Sequence, residues 1–253
     1  MKKEFWKDWK RKTKLEEAAI VSLKKALNIL LKNLPKKEIV AIYVKGSFVR
    51  REMTKKSDVD TVTILKESKY LKNLRKLEEK YRSKYYPQIE FSGYSIWELK
   101  HNKRAASGKK VRASPSRAVQ HLDNYKLLYG KQLRKEDFAS GTDIGHLKSM
   151  IKVFHNLFLP GLKEKKFGFS DIIKQVFWLI ENEQRVRGNN AEHSFKKLVK
   201  SIKDKDHIVH DAYRLRLKPT KDKKIRAQFI SKLKRYLKEL ENMLKYKEEH
   251  GIK

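Results

Sequence analysis

Leu15, Ala19, Leu23, Leu27, Leu30 and Leu34 recur at three- and four-residue steps with lysines between them. That spacing lays one apolar stripe along a helix, which Pro35 closes. Glu38-Ile39-Val40-Ala41-Ile42-Tyr43-Val44 is rich in β-branched residues and too short for a typical helix, so it predicts a buried strand ending at Gly46. A short helix through Met53 is expected next. Ser57 to Leu65 alternates acid or hydroxyl side chains with aliphatic ones and predicts a second strand. Tyr70 to Tyr85 carries helical spacing, and Ile89 to Ser95 predicts a third strand.

Strand, helix, strand, helix, strand is the order of an α/β (α+β) unit built on a small mixed sheet. From Ser116 onward the period changes. Helical segments are expected around Ala118–Tyr129, Ile144–Leu159, Asp171–Arg187, His193–Ile202 and Ile225–Tyr246, which make a C-terminal α-helical bundle. Between the halves, Lys103 to Pro115 is basic, rich in small residues and aperiodic, and reads as a mobile loop or hinge. The expected domains are therefore residues 1–115 and 116–253.

The chain has 253 residues, enough for a substantial core. Its 63 Lys plus Arg against 30 Asp plus Glu give a net charge of +33, a surface that attracts anions. Hydrophobic residues make up 39% of the chain, which favours folding over disorder despite that charge. The absence of cysteine excludes disulfides, thiolate nucleophiles and cysteine-ligated zinc, so any metal must be held by oxygen or imidazole. Lys24, Lys25 and Lys32 interrupt the first apolar stripe, leaving no signal-peptide core and no membrane span. A cytoplasmic protein is the expectation.

Chemistry concentrates in Lys45-Gly46-Ser47-Phe48-Val49-Arg50-Arg51-Glu52-Met53-Thr54-Lys55-Lys56-Ser57-Asp58-Val59-Asp60. Gly46 and Ser47 fall where a strand turns into a helix, a place where a phosphate can approach backbone N–H groups and the Ser47 hydroxyl can donate. Arg50 lies one helical turn on and can reach the same anion. Asp58 and Asp60, two apart on a strand, project from one face roughly 7 Å apart. Carboxylates so placed hold hard cations such as Mg²⁺ or Mn²⁺. Glu90 adds a further ligand if the third strand lies beside the second, and is also a natural general base for an acceptor hydroxyl. Alone, an Asp-x-Asp reads as a solvated turn and a Gly-Ser as a strand end or helix cap. Their joint occurrence, with Glu90 downstream, changes that reading.

In this combination the chain resembles the nucleotidyltransferases of the DNA polymerase β type, whose pattern is an apolar strand, Gly-Ser, a short helix, Asp-x-Asp on a second strand and a lone acid on a third. Tyr125-Lys126-Leu127-Leu128-Tyr129-Gly130 is similar to the segment that opens the helical part of the aminoglycoside nucleotidyltransferase branch. The resemblance covers residues 38 to 133 by motif. It implies Asp58, Asp60 and Glu90 as catalytic metal ligands, and Gly46, Ser47, Arg50 and Ser57 as nucleotide-binding residues. By layout, Lys196 and Lys197 correspond to a triphosphate-binding lysine on a C-terminal helix. Two positions depart from the pattern. Arg51 stands where many relatives have glycine, adding a cation, and Thr61 replaces an aliphatic residue, which is expected to weaken the burial of its strand.

The implied reaction moves a nucleoside monophosphate from Mg-bound nucleoside triphosphate to an acceptor hydroxyl. The charge favours RNA as acceptor, with nucleotidylation of a small molecule or a protein as alternatives, and a non-catalytic RNA-binding protein as the competing class. His207 and His210 have helical spacing but no third ligand in sequence, and read as structural or surface residues. Trp178 reads as bundle core, and the basic run Lys218 to Arg226 as a solvated connection.

Overall fold

The computed structural model of the chain describes residues 4–108, 112–189 and 193–251. Helix α1 (Lys14–Asn33) starts at a reciprocal cap. Glu16 N–H donates to Thr13 Oγ1 at 3.2 Å, and Thr13 N–H donates to the Glu16 carboxylate at 2.8 Å. β1 (Ile39–Lys45), α2 (Gly46–Arg50), β2 (Val59–Leu65), α3 (Leu71–Tyr81) and β3 (Ile89–Ser95) follow in the expected order. β3 has the expected bounds, whereas β2 begins just after Asp58 rather than at Ser57.

The sheet order is β3-β2-β1-β4, with β4 (Lys126–Gly130) at one edge. β1 runs antiparallel to β2 and β4, and β2 runs parallel to β3, so the small sheet is mixed. Successive side chains point to opposite faces. Ile42, Ile89 and Phe91 pack with Leu30 of α1 and Leu74 of α3, while Ala41, Tyr43, Val62, Ile64 and Tyr94 pack with Leu99, Val119 and Leu122. Cover on both faces explains why β1 reads as an unbroken apolar run.

Three expectations change here. Leu127 to Tyr129, read as the end of a helix, belongs to β4; only α5 (Pro115–Gln120) is α-helical in that stretch. Pairing with β1 gives the segment partners that helical spacing cannot reveal, and Gly130 follows at φ +84°, where a Cβ would strike the Val40 carbonyl. Because β4 joins the sheet, the two compact units divide at Gly141/Thr142 rather than at residue 115. The described part of the basic connection is also fastened rather than hinge-like. The Arg112 guanidinium pairs with the fully buried Glu98 and lies 4.7 Å over the Tyr94 ring, and the Ala105 N–H donates to Glu98 at 2.6 Å. Lys109, Lys110 and Val111 lie outside the described residues. Glu98 belongs to α4 (Ile96–His101), which Ser95 and Glu98 cap reciprocally.

The second unit, Thr142–Lys253, is helical as expected. Its elements are α6 (Asp143–Val153), a π-helical turn over Phe154–Phe158, α7 (Leu159–Lys163), α8 (Phe169–Val186), α9 (Phe195–Ser201), α10 (Ile208–Leu217) and α11 (Lys223–Glu249). Phe154, Val176, Phe177, Ile180, Leu233 and Leu237 are buried at its centre, and Phe177 stacks on Phe195 at 4.3 Å. Trp178 packs against this core, as read from the sequence. His207 caps α10 by accepting from the Val209 N–H and lies 3.4 Å from Glu183, a structural role. No helix among the described residues is long and apolar enough to cross a membrane.

Candidate active site

Strand register assembles the site. In the antiparallel β1–β2 pair Lys45 stands opposite Asp60, and in the parallel β2–β3 pair Asp60 stands beside Glu90. Directly opposed residues share a face. A row Lys45, Asp60, Glu90 therefore crosses three strands at one end of the sheet, and Asp58 precedes β2 by one residue. Asp58, Asp60 and Glu90 each offer a carboxylate oxygen, all within 4.8 Å of one another. That is closer than the roughly 7 Å expected between same-face strand neighbours, so the side chains converge. Three converging carboxylates are a hard oxygen donor set, the chemistry suited to Mg²⁺ or Mn²⁺.

Thr61 holds the row rather than weakening it. Its side chain is fully buried, and its hydroxyl donates to the Glu90 carbonyl at 2.8 Å, while Ser92 Oγ donates to the Thr61 carbonyl at 2.8 Å. Two hydroxyls thus tie β2 to β3 beside the acids, where an aliphatic residue would offer packing alone. The expectation of weaker burial is corrected.

Gly46 has φ +81°, and a Cβ there would collide with the Asp60 carboxylate. The glycine is required both by the left-handed backbone and by the approach of Asp60. Ser47 follows, buried at the start of α2. Arg50 is directed to Glu52, with its Nε 3.0 Å from the carboxylate and its side chain only 7% exposed. Ser57 closes a turn, its Oγ accepting from the Thr54 N–H at 2.9 Å. Lys196 and Lys197 are exposed on the first turn of α9, in the second compact unit, so the packing of the first unit does not place them.

Arg51 ends α2 at φ +57°. A left-handed residue at this point is what glycine supplies without strain. Here the arginine has a task of its own. It donates to Glu16 at 2.8 and 3.1 Å and to the carbonyls of Lys10 and Arg11, and it lies 4.9 Å over the Trp9 ring. Hydrogen bonding from Arg51 holds the Glu16 carboxyl below its ordinary range. The extra cation is consumed in clasping the N-terminal segment to α2, whose Phe48 packs on Trp9 with ring centres 5.1 Å apart.

Lys45 was not singled out by the sequence. Burial opposes its charge, but Asp60, with Tyr125, Glu90 and Tyr94, outweighs burial and raises its pKa above the ordinary lysine value. The row therefore carries its own cation. The one signal in the sequence is a lysine ending an otherwise apolar run directly before Gly46, and its meaning depends on knowing that β1 pairs with β2.

A strand–Gly-Ser–helix turn beside converging acids on neighbouring strands is an arrangement suited to a phosphate and a divalent cation. Residues 23–112 match the family model of the nucleotidyltransferase domain. The match fits a nucleotidyltransferase domain of the polymerase β-type superfamily and supports a transferase. No curated protein matches the chain.

Proposed function

We propose that the chain moves a nucleoside monophosphate from a nucleoside triphosphate to a hydroxyl of RNA, with pyrophosphate leaving. The observation that carries this reading is the convergence of Asp58, Asp60 and Glu90 beside Gly46, inside the region that matches the nucleotidyltransferase domain. Asp58, Asp60 and Glu90 would hold Mg²⁺, or Mn²⁺, in a two-ion arrangement; ions bound there supply charge neutralisation at the phosphates and acidity at the acceptor oxygen. Gly46 keeps the backbone low over Asp60, and the Ser47 hydroxyl offers a donor to the triphosphate. Arg50, Ser57, Lys196 and Lys197 are the further nucleotide-binding residues of this reading. Glu90 either completes the acceptor side of the metal site or accepts the proton of the attacking hydroxyl. Lys45 balances part of the acidic charge and keeps Asp60 and Glu90 in place. RNA is favoured as acceptor by the charge of +33, since a cationic small molecule would be repelled.

The test is incubation with each labelled nucleoside triphosphate and Mg²⁺, with total RNA or with no added acceptor. Label on RNA that disappears in Asp58→Asn and Asp60→Asn, with folding retained, is the expected result. Label on the protein itself or on a small acceptor would move the reading to protein or small-molecule nucleotidylation. Full activity in either variant would refute the assignment of the acids.

A further inference from the structure

The basic stretch that opens the last helix is not used by the site in the first unit. Between Arg214 and Lys238 the chain has eleven Lys and Arg and a single acid, Asp222. Asp222 is occupied as the N-cap of α11, accepting from the Lys224 and Ile225 N–H groups. The helical period sorts the side chains that follow. Phe229, Leu233, Tyr236, Leu237 and Leu240 are buried in the bundle core, which fixes the inward face. Lys223, Lys224, Lys234, Arg235 and Lys238 are all exposed and fall within a sector about 120° wide on the opposite side, at 100° per residue. Ala227 and Ser231, exposed and uncharged, fill that sector between them, and exposed Gln228 lies just beyond its edge. The stripe from residue 223 to 238 is roughly 22 Å long at 1.5 Å per residue.

Three of the neighbouring cations are already engaged. Arg214 and Lys232 pair with Asp211 at 2.7 Å, and Arg226 donates to the Thr220 carbonyl and lies 5.2 Å over Phe169. None of the five stripe residues forms an ion pair among the described residues, so their charge is available. Beyond Lys238 the helix turns mixed, with Glu239, Glu241, Glu248 and Glu249. The basic surface is therefore a bounded feature of the first half of α11 and not a uniform coat.

We propose that this stripe of α11 is a docking surface for the sugar–phosphate backbone of single-stranded RNA, which would supply the acceptor strand and to that extent rests on the transferase reading. A row of flexible lysines with small neutral residues between them suits a repeating phosphate chain, which needs charge and close approach but no base-specific groups. An anionic membrane fits less well, because the apolar face of α11 is spent in the bundle core and only the isolated Ile225 and Tyr246 stay exposed, too little for insertion.

Binding is measured apart from turnover, so that failure of this surface and failure of the transfer chemistry give different results. Fluorescence anisotropy with a labelled single-stranded RNA is followed over a salt series. It compares the intact chain, a stripe variant (Lys223, Lys224, Lys234, Arg235 and Lys238→Gln) and a control of equal net charge (Lys163, Lys174, Lys200, Lys203 and Lys205→Gln). At about 0.7 per phosphate contact for single strands, losing five contacts should make the slope of log K against log salt shallower by about 3.5 in the stripe variant. The control should keep a slope near that of the intact chain. In the unaltered protein, RNA should also protect Lys223, Lys224, Lys234 and Lys238 from acetylation. Equal losses in both variants, or no protection, would overturn the proposal. So would tight binding to phosphatidylserine vesicles that the stripe variant loses while keeping RNA. Loss of transfer in Asp58→Asn with RNA binding intact would leave the stripe standing.

Discussion

Replacing Lys45 by methionine removes a cation from the row while keeping the length of its stem. Side chains directly opposed across antiparallel strands stand about 5 Å apart, and unit charges at that distance interact by about 3 kcal/mol at an effective dielectric constant of about 20. Lys45 faces Asp60 in this way, and Glu90 lies one strand further. In the metal-free protein the substitution leaves three converging carboxylates without that balance. Release of a partly buried lysine from its desolvation cost offsets part of the loss, so the net destabilisation should be about 1–2 kcal/mol. Toward a divalent cation the sign reverses. A +2 ion about 7 Å from the ammonium is repelled by up to about 5 kcal/mol, of which the flexible lysine stem relieves a large part by swinging aside. The remaining 1.4–2.8 kcal/mol corresponds to about ten- to a hundredfold tighter binding in Lys45→Met. Mn²⁺ titration followed by electron paramagnetic resonance, without nucleotide, reads the affinity, and calorimetry reads the stability. Lys45→Arg should stay near the parent in both. Mn²⁺ binding in Lys45→Met that is unchanged or weaker would refute the reasoning. No binding to the parent protein would instead refute the metal site.

Gly46→Ala must place a Cβ against the Asp60 carboxylate at a left-handed backbone position, so stability should fall by about 2 kcal/mol and Mn²⁺ affinity with it, both checked as above. Arg51→Gly loses the clasp on Glu16 but gains the residue best suited to φ +57°, whereas Arg51→Ala loses the clasp without that relief; the Gly variant should melt several degrees higher than the Ala variant. Because Glu16 has a lowered pKa, its contribution is present above its ordinary value near 4.5 and is lost as pH falls through the lowered one. The deficit of Arg51→Gly should therefore shrink in acid, as followed by thermal melts. Burial pushes Tyr94 up to about 12 from an ordinary 10.0, so the fold resists its ionisation. The cost, roughly 2–3 kcal/mol, develops as pH rises from 10 toward 12. Tyr94→Phe, which loses the 3.1 Å bond to the Ala113 carbonyl, should be about 1 kcal/mol less stable at neutral pH and should equal or pass the parent in denaturant melts near pH 11–12.

Local spacing determined much about this protein. The helix over Leu15 to Leu34, the first three strands, the helical second half, and the Gly46, Ser47, Asp58, Asp60 and Glu90 set could all be read along the chain, because period and turn chemistry are properties of neighbouring residues. Tertiary structure alone decided which residues face one another. Only strand pairing sets Lys45 opposite Asp60, moves Leu127 to Tyr129 from a helix into β4, and shifts the boundary between units to Gly141. Only packing shows that Thr61 bolts β2 to β3, that Arg51 is held by Glu16 thirty-five residues away, and that Glu98 anchors the basic connection. The physical reason is that register and ion pairing are contacts between segments far apart in sequence, and no local period encodes the partner.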